Sequence, residues 1–100
     1  MEPVKIGILG LGTVGSGTVN VLTRNADEIQ RRAGRAIRVV HAAARDLKRK
    51  RNCPTDGIRL TANPQEVVND PEVEVVVELM GGYEPARTLV LQAIENGKHV

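Results

Sequence analysis

The sequence predicts an α/β fold, a parallel sheet doubly wound by helices, and three observations carry that reading. Strand-like apolar runs alternate with helix-like periodic segments, a glycine cluster stands at the first strand-to-helix junction, and aromatic residues are almost absent. With no Trp or Phe and a single Tyr in 100 residues, a core has to be built from Val, Leu, Ile and Ala. Strands buried on both faces, covered by Ala- and Leu-bearing helices, use that palette.

Val4-Lys5-Ile6-Gly7-Ile8-Leu9 is short, β-branched and runs straight into glycines, so it reads as the first strand. From Thr13 the period changes to that of a helix. Val14, Thr18, Val21, Leu22 and Ile29 are expected on its buried face, and Gly34 is expected to stop it in a left-handed turn. Ile37 to Ala44 is the second strand. Asp46 to Gly57 is polar, basic and broken by Pro54 and Gly57, hence a loop with at most one helical turn. Ile58 to Leu60 reads as a short third strand. Asn63-Pro64-Gln65-Glu66 carries the marks of a helix start, with a cap, a proline at the first position and a Glu at the third. Asp70-Pro71 ends that helix early.

Val73 to Met80 is the next long strand, with Val75, Val76 and Val77 consecutive. Pro85 opens a helix in which Ala86, Leu89, Val90, Ala93 and Ile94 follow one face. Gly97 caps it, and Lys98-His99-Val100 begins a further strand that the sequence leaves unfinished. The expectation is one domain over residues 1–100, truncated within a strand and belonging to a longer chain.

Several function classes are disfavoured by composition. Hydrophobic residues are 41% and charged residues 26% of the chain, the profile of a soluble globular protein. A net charge of +2 is too small to argue for nucleic acid, and the aromatic rings on which single strands stack are missing. No apolar run approaches the roughly 20 residues of a membrane span, and no signal segment precedes the first strand. Cys53 is the single cysteine, giving neither a disulfide nor a metal cluster, so a reducing cytoplasm is the expected compartment.

Gly10-Leu11-Gly12-Thr13-Val14-Gly15 matches G-x-G-x-x-G. Alone the pattern is weak; directly after a strand and opening a helix it points to a dinucleotide site of the Rossmann type. Gly10 permits the tight turn, Gly12 lets a pyrophosphate approach the backbone, and Gly15 allows close packing of the helix. The helix start supplies N–H groups and the positive end of its dipole for phosphate charge.

The choice between NAD and NADP falls at the end of the second strand, Ala42-Ala43-Ala44-Arg45-Asp46. Arg45 follows Gly15 by about 30 positions, more than the usual roughly 20, because the first helix is long. Its planar fork suits adenine stacking and a 2′-phosphate, and Lys48 follows closely. Asp46 offers a carboxylate for a ribose 2′-hydroxyl instead. NADP is therefore expected, with NAD as the second option. Arg49 to Arg51 read as a solvated loop.

At the carboxyl edge of the next strand, Gly81 and Gly82 would let the backbone pass close to the nicotinamide ribose, or make only a sharp turn. Glu78 is read as a buried acid bonded to neighbouring loop amides rather than a general base. His41 and His99 lie away from the carboxyl edge, and Cys53 is an ordinary loop thiol. No catalytic or metal-binding constellation is read within these residues.

Ile8 to Val19, the Ala-Ala-Arg-Asp-Leu stretch at Ala43 to Leu47, Val75 to Gly82 and Glu84 to Ala86 together closely resemble homoserine dehydrogenase, in register over the whole chain. The resemblance implies interconversion of aspartate 4-semialdehyde and homoserine with NADPH or NADH, on the route to threonine and methionine. It also implies a substrate and dimerisation domain beyond residue 100, a homo-oligomer formed through it, and catalytic lysines and carboxylates located there. What carries over to this chain is the cofactor half: the Gly10 to Gly15 loop, Ala44 and Arg45, and Gly81-Gly82. Two alternatives remain from the residues alone, another amino-acid-pathway dehydrogenase or a Rossmann module that senses NAD(H) without chemistry.

Overall fold

A computed structural model of the chain describes residues 2–47, 53, 55–80 and 84–100. Its elements are β1 (Val4–Leu9), α1 (Thr13–Arg24), α2 (Ala26–Ala33), β2 (Ile37–Ala43), β3 (Arg59–Thr61), α3 (Pro64–Val68), β4 (Val75–Glu78) and α4 (Ala86–Glu95). The strands form one parallel sheet in the order β3-β2-β1-β4. His99 makes a further parallel bridge to Val75, so the end of the chain runs alongside β4.

Helices cover both faces, which is why the strands are apolar on consecutive residues. On one face Ile6, Ile8, Val39 and Ala42 pack with Leu11 and with Val19 of α1. On the other, Leu9, Ala43 and Val76 meet Val67 and Val68 of α3 and Leu89 and Ala93 of α4. The second layer sits close: a Cβ on Gly7 would come within 2.5 Å of Val67 Cγ1. The β1–β2 register slips once, with Ile6 opposite Val39 and Gly7 opposite His41, leaving Val40 as an extra residue.

The first helix differs from the sequence expectation in two ways. It breaks at Asn25, where the backbone N–H and the side-chain amide both donate to the Val21 carbonyl, each at 3.1 Å. A side chain that bonds its own preceding turn competes with helix continuation. After the break α2 buries no residue and is held locally, Glu28 bonding Arg31 and Arg32 at 2.7 Å each. The inward face of α1 is also different. Gly15, Ser16 and Val19 are buried and Leu22 packs against the core as expected, whereas Val14 is 64% exposed and Val21 48% exposed. Gly34 does end the segment in a left-handed conformation, φ 79°, with its N–H on Gln30 O.

Strand boundaries shift slightly. β2 stops at Ala43 rather than Ala44, β3 is displaced by one residue, and β4 is confined to Val75–Glu78 within the expected Val73 to Met80. At α3, Asn63 Oδ1 accepts the Gln65 N–H at 3.1 Å, the expected cap. Glu66 does not turn back to the Asn63 amide as a capping box would. Its carboxylate accepts a hydrogen bond from the Thr61 hydroxyl, and that hydroxyl oxygen accepts the Asn63 N–H at 3.0 Å.

Candidate functional site

The four parallel strands end at the same edge, where the segments leaving them diverge. That divergence opens a cleft of about 280 Å³ walled by Gly10, Leu11 and Gly12 after β1, by Ala43, Ala44, Arg45 and Asp46 at the tip of β2, by Ala62 and Pro64 after β3, and by Leu79 and Met80 after β4. Such a crevice, outside the carboxyl ends of parallel strands where the strand order reverses, is where open α/β sheets bind ligands.

The glycine loop is shaped by hydrogen bonds to the neighbouring strand. The N–H groups of Gly10 and Leu11 both donate to the Ala43 carbonyl at 2.9 Å. These two hydrogen bonds to one acceptor turn the chain out of the sheet and tie the loop to the tip of β2. Gly10 takes φ 102°, and a Cβ there would lie 3.1 Å from the backbone of Leu79 and Met80. Only glycine meets both demands. The Leu11 side chain is core, 2% exposed, so its contribution to the cleft is at the backbone edge.

Gly15 does its packing against the loop rather than against the sheet. A Cβ on Gly15 would run into the Gly10 carbonyl oxygen. The first helical bond of α1 goes from the Ser16 N–H to the Gly12 carbonyl at 2.8 Å. The amides of the turn before Ser16 therefore precede the helical ladder, as the opening N–H groups of any helix do.

At the tip of β2 the Ala44 N–H donates to Thr61 O at 2.9 Å, holding the second and third walls together. Arg45 and Asp46 are exposed on the rim of the cleft. On the β4 side the Met80 N–H donates to Glu78 Oε1 at 2.6 Å, and Leu79 N–H donates to Leu9 O at 2.8 Å. Glu78 is half-buried and bonded to a loop amide.

Of the residues singled out by sequence, Gly10, Leu11, Gly12, Ala44 and Arg45 are brought together in the cleft lining. Thr13, Val14 and Gly15 form the adjoining first turn of α1 and are not in the lining. Lys48, Gly81 and Gly82 lie outside the described residues, as do Arg49 to Arg51. The motif reading missed Ala43, Ala62, Pro64 and Leu79, and it named Met80 only as part of a turn. Their signal was positional: each stands at or just past the carboxyl end of a strand.

His41 is buried in the middle of β2 with Nδ1 2.8 Å from Asp70 Oδ2, away from this edge. Cys53 is a free, half-buried thiol packed against the α1-side core. Among the described residues no group of His, Cys, Asp and Glu could hold a metal ion, and no helix is long and apolar enough to cross a membrane.

A model of the homoserine dehydrogenase NAD-binding domain matches residues 10–100. The homoserine dehydrogenase of Pseudomonas aeruginosa is 60% identical over the whole chain, which spans 23% of that protein. The one from Methylobacillus glycogenes is 53% identical, the chain spanning 24% of it. Among solved structures, a homoserine dehydrogenase from Thiobacillus denitrificans superposes with a TM-score of 0.89 at 60% identity, over all of this chain and 23% of the other. A Staphylococcus aureus homoserine dehydrogenase gives 0.90 at 38% identity, over 25% of its length. The chain thus spans about a quarter of the relatives it matches.

The residues present suit a dinucleotide. A Cβ on Gly12 would meet nothing within 4 Å, so the backbone at the helix start is open to an approaching group, and Arg45 lines the same cleft.

Proposed function

The chain belongs to the family of the homoserine dehydrogenase NAD-binding domain, and on that premise we propose that it holds the dinucleotide, NADP in preference to NAD, for an enzyme interconverting L-aspartate 4-semialdehyde and L-homoserine. What supports this reading is that Gly12 and Arg45 both line one cleft at the carboxyl edge of the sheet. When bound, the dinucleotide supplies the hydride acceptor or donor. This chain binds it and sets its direction.

The pyrophosphate lies against Gly12, where the α1 dipole and the first-turn N–H groups favour negative charge. Arg45 holds the 2′-phosphate, and the apolar walls from Ala44, Ala62 and Pro64 exclude water from the adenosine half. Substrate and proton transfer belong to residues beyond position 100 in the longer enzyme, which carries the small-molecule site and associates as a homo-oligomer.

The reading is tested by titrating the chain with NADP, NAD and ATP in a calorimeter, then mixing it with homoserine and NADP and following reduced-cofactor absorbance. Binding of NADP without turnover is expected. No dinucleotide binding would overturn the cofactor role, and sustained turnover would place catalytic residues within this chain.

A further inference from the structure

We propose that Glu78 is a positioning residue for the dinucleotide site: its carboxylate fixes the backbone of Met80 and thereby the β4 wall of the cleft. The inference rests on the cofactor reading above and extends it to a residue outside the glycine motif.

Two bonds define the exit from β4. The strand's last cross-strand bond runs from the Leu79 N–H to Leu9 O at 2.8 Å. One residue later the chain leaves the sheet, and the Met80 N–H turns to Glu78 Oε1 at 2.6 Å. A half-buried amide needs an acceptor, and here a side chain two residues back provides it. This accounts for a carboxylate closing the otherwise apolar run Val75-Val76-Val77. At 2.6 Å the bond is short, so the turn is held firmly.

The held segment is also the part of β4 that meets the glycine loop. A Cβ on Gly10 would sit 3.1 Å from the Leu79 carbonyl and from Met80 Cα, so loop and turn are in close register. Both Gly10 and Met80 line the cleft. Releasing Met80 would let the wall drift, and binding energy would then go into ordering it, as any loop ordered on binding requires. Glu78 itself is absent from the lining, so its influence passes through the Met80 backbone.

The experiment compares Glu78→Met, which keeps the chain length but removes the acceptor, with Glu78→Gln, which keeps a neutral acceptor oxygen. Two quantities are read: hydrogen exchange at the Met80 amide, with the Val76 amide bonded to His99 O as internal reference, and the dissociation constant for NADP. In Glu78→Met the Met80 amide is expected to exchange at least about tenfold faster, with Val76 unchanged, and NADP binding to weaken by about five- to tenfold. Glu78→Gln is expected to restore binding to within about threefold of wild type, since most of one hydrogen bond returns. Unchanged NADP affinity in Glu78→Met despite a fast Met80 amide would overturn the proposal. So would a Glu78→Gln variant as weak as Glu78→Met, because the charge rather than the held turn would then matter. Should Glu78→Met fail to fold, Glu78→Gln carries the decision: a protected Met80 amide with more than about tenfold weaker NADP binding overturns the proposal, and near-native binding supports it. If the wild-type chain binds no dinucleotide, the cofactor reading falls, a result separate from any difference between the variants.

Discussion

Nδ1 of His41 lies 2.8 Å from Oδ2 of Asp70, with the two side chains only 3% and 7% exposed, and this buried pair ties β2 to the loop that follows α3. The same carboxylate accepts the Glu72 N–H on Oδ1 at 2.9 Å and has the Arg59 guanidinium 3.8 Å from Oδ2. Because an ionised carboxylate only accepts, the proton of this contact sits on Nδ1 of His41. The remaining ring nitrogen, Nε2, is buried with no partner among the described residues. The Asp70 backbone carbonyl meanwhile accepts from Lys98 Nζ at 2.6 Å, so four segments converge on one aspartate.

That convergence predicts acid sensitivity. Burial pushes the Asp70 carboxyl up, but the Glu72 N–H, the His41 ring and the Arg59 charge together outweigh it, and the net effect is a value below the ordinary 3.8. A folded-state pKa below the unfolded one gives stability that is present above the unfolded value and lost as pH falls through the folded value. Stability should therefore decline below about pH 4. Asp70→Asn should lower stability near neutrality by about 1–3 kcal/mol and flatten that acid decline. Urea unfolding at a series of pH values reads both, and an unaltered acid slope in the variant would assign the sensitivity to other carboxylates.

Two glycines of one motif should respond in opposite ways. A Cβ on Gly12 meets no atom within 4 Å, so Gly12→Val should leave the fold nearly intact while removing dinucleotide binding. A Cβ on Gly15 collides with the Gly10 carbonyl oxygen, so Gly15→Ala should cost about 1–3 kcal/mol of stability by overpacking. Thermal unfolding and NADP titration on both variants separate the roles. Equal stability losses at the two positions would mean the loop is not arranged as described.

Gly15 also shows where the sequence was hard to read. Strand alternation, the glycine junction and the Asn63-Pro64 helix start were legible because each depends on local chemistry. The inward face of α1 was not. Two stripes compete on that helix, and the larger side chains of Val14 and Val21 mark the one that faces outward. The buried stripe begins with Gly15 and Ser16, small residues that carry no hydrophobic signal, and at Gly15 the closeness of the Gly10 carbonyl leaves no room for a side chain. A tertiary contact thus overrode the apolar pattern. The Asn25 break had a sign in the sequence, since Asn25 with Glu28 three residues on resembles a helix start. The apolar periodicity running through it masked that sign.

Thr61 links the end of β3 to the start of α3, donating to Glu66 and accepting from the Asn63 N–H. It is buried whereas Glu66 and Asn63 are exposed, so Thr61→Val keeps the volume and removes both bonds without stranding a buried polar group. A loss of about 0.5–1.5 kcal/mol is expected. The adjoining Ala62 and Pro64 wall should loosen with it, weakening NADP binding. Chemical denaturation and a cofactor titration on the same sample check both effects, and a stability loss under about 0.5 kcal/mol would show that solvent replaces the hydroxyl.

Arg45 offers the sharpest test of cofactor choice. It stands exposed on the cleft rim beside Ala44, whose N–H is fixed to Thr61 O at 2.9 Å, so the strand tip that carries the guanidinium is anchored. The 2′-phosphate of NADP carries close to two negative charges, and a charge-assisted bond to a guanidinium contributes roughly 1.5–3 kcal/mol. At 1.4 kcal/mol for each tenfold step, that is a preference of about 10- to 150-fold. NAD has a hydroxyl at the same place and gains none of this. Arg45→Ala should therefore weaken NADP far more than NAD, and adding Lys48→Ala should widen the difference if the second cation shares the phosphate. Asp46, also on the rim, pulls the other way by suiting a ribose hydroxyl, so some NAD binding should persist in every variant. Dissociation constants for both cofactors, measured at two salt concentrations, decide the matter: a phosphate contact at an exposed site weakens as salt rises, whereas stacking on adenine does not. Equal losses for NADP and NAD in Arg45→Ala, insensitive to salt, would show that the guanidinium stacks on adenine and does not read the phosphate.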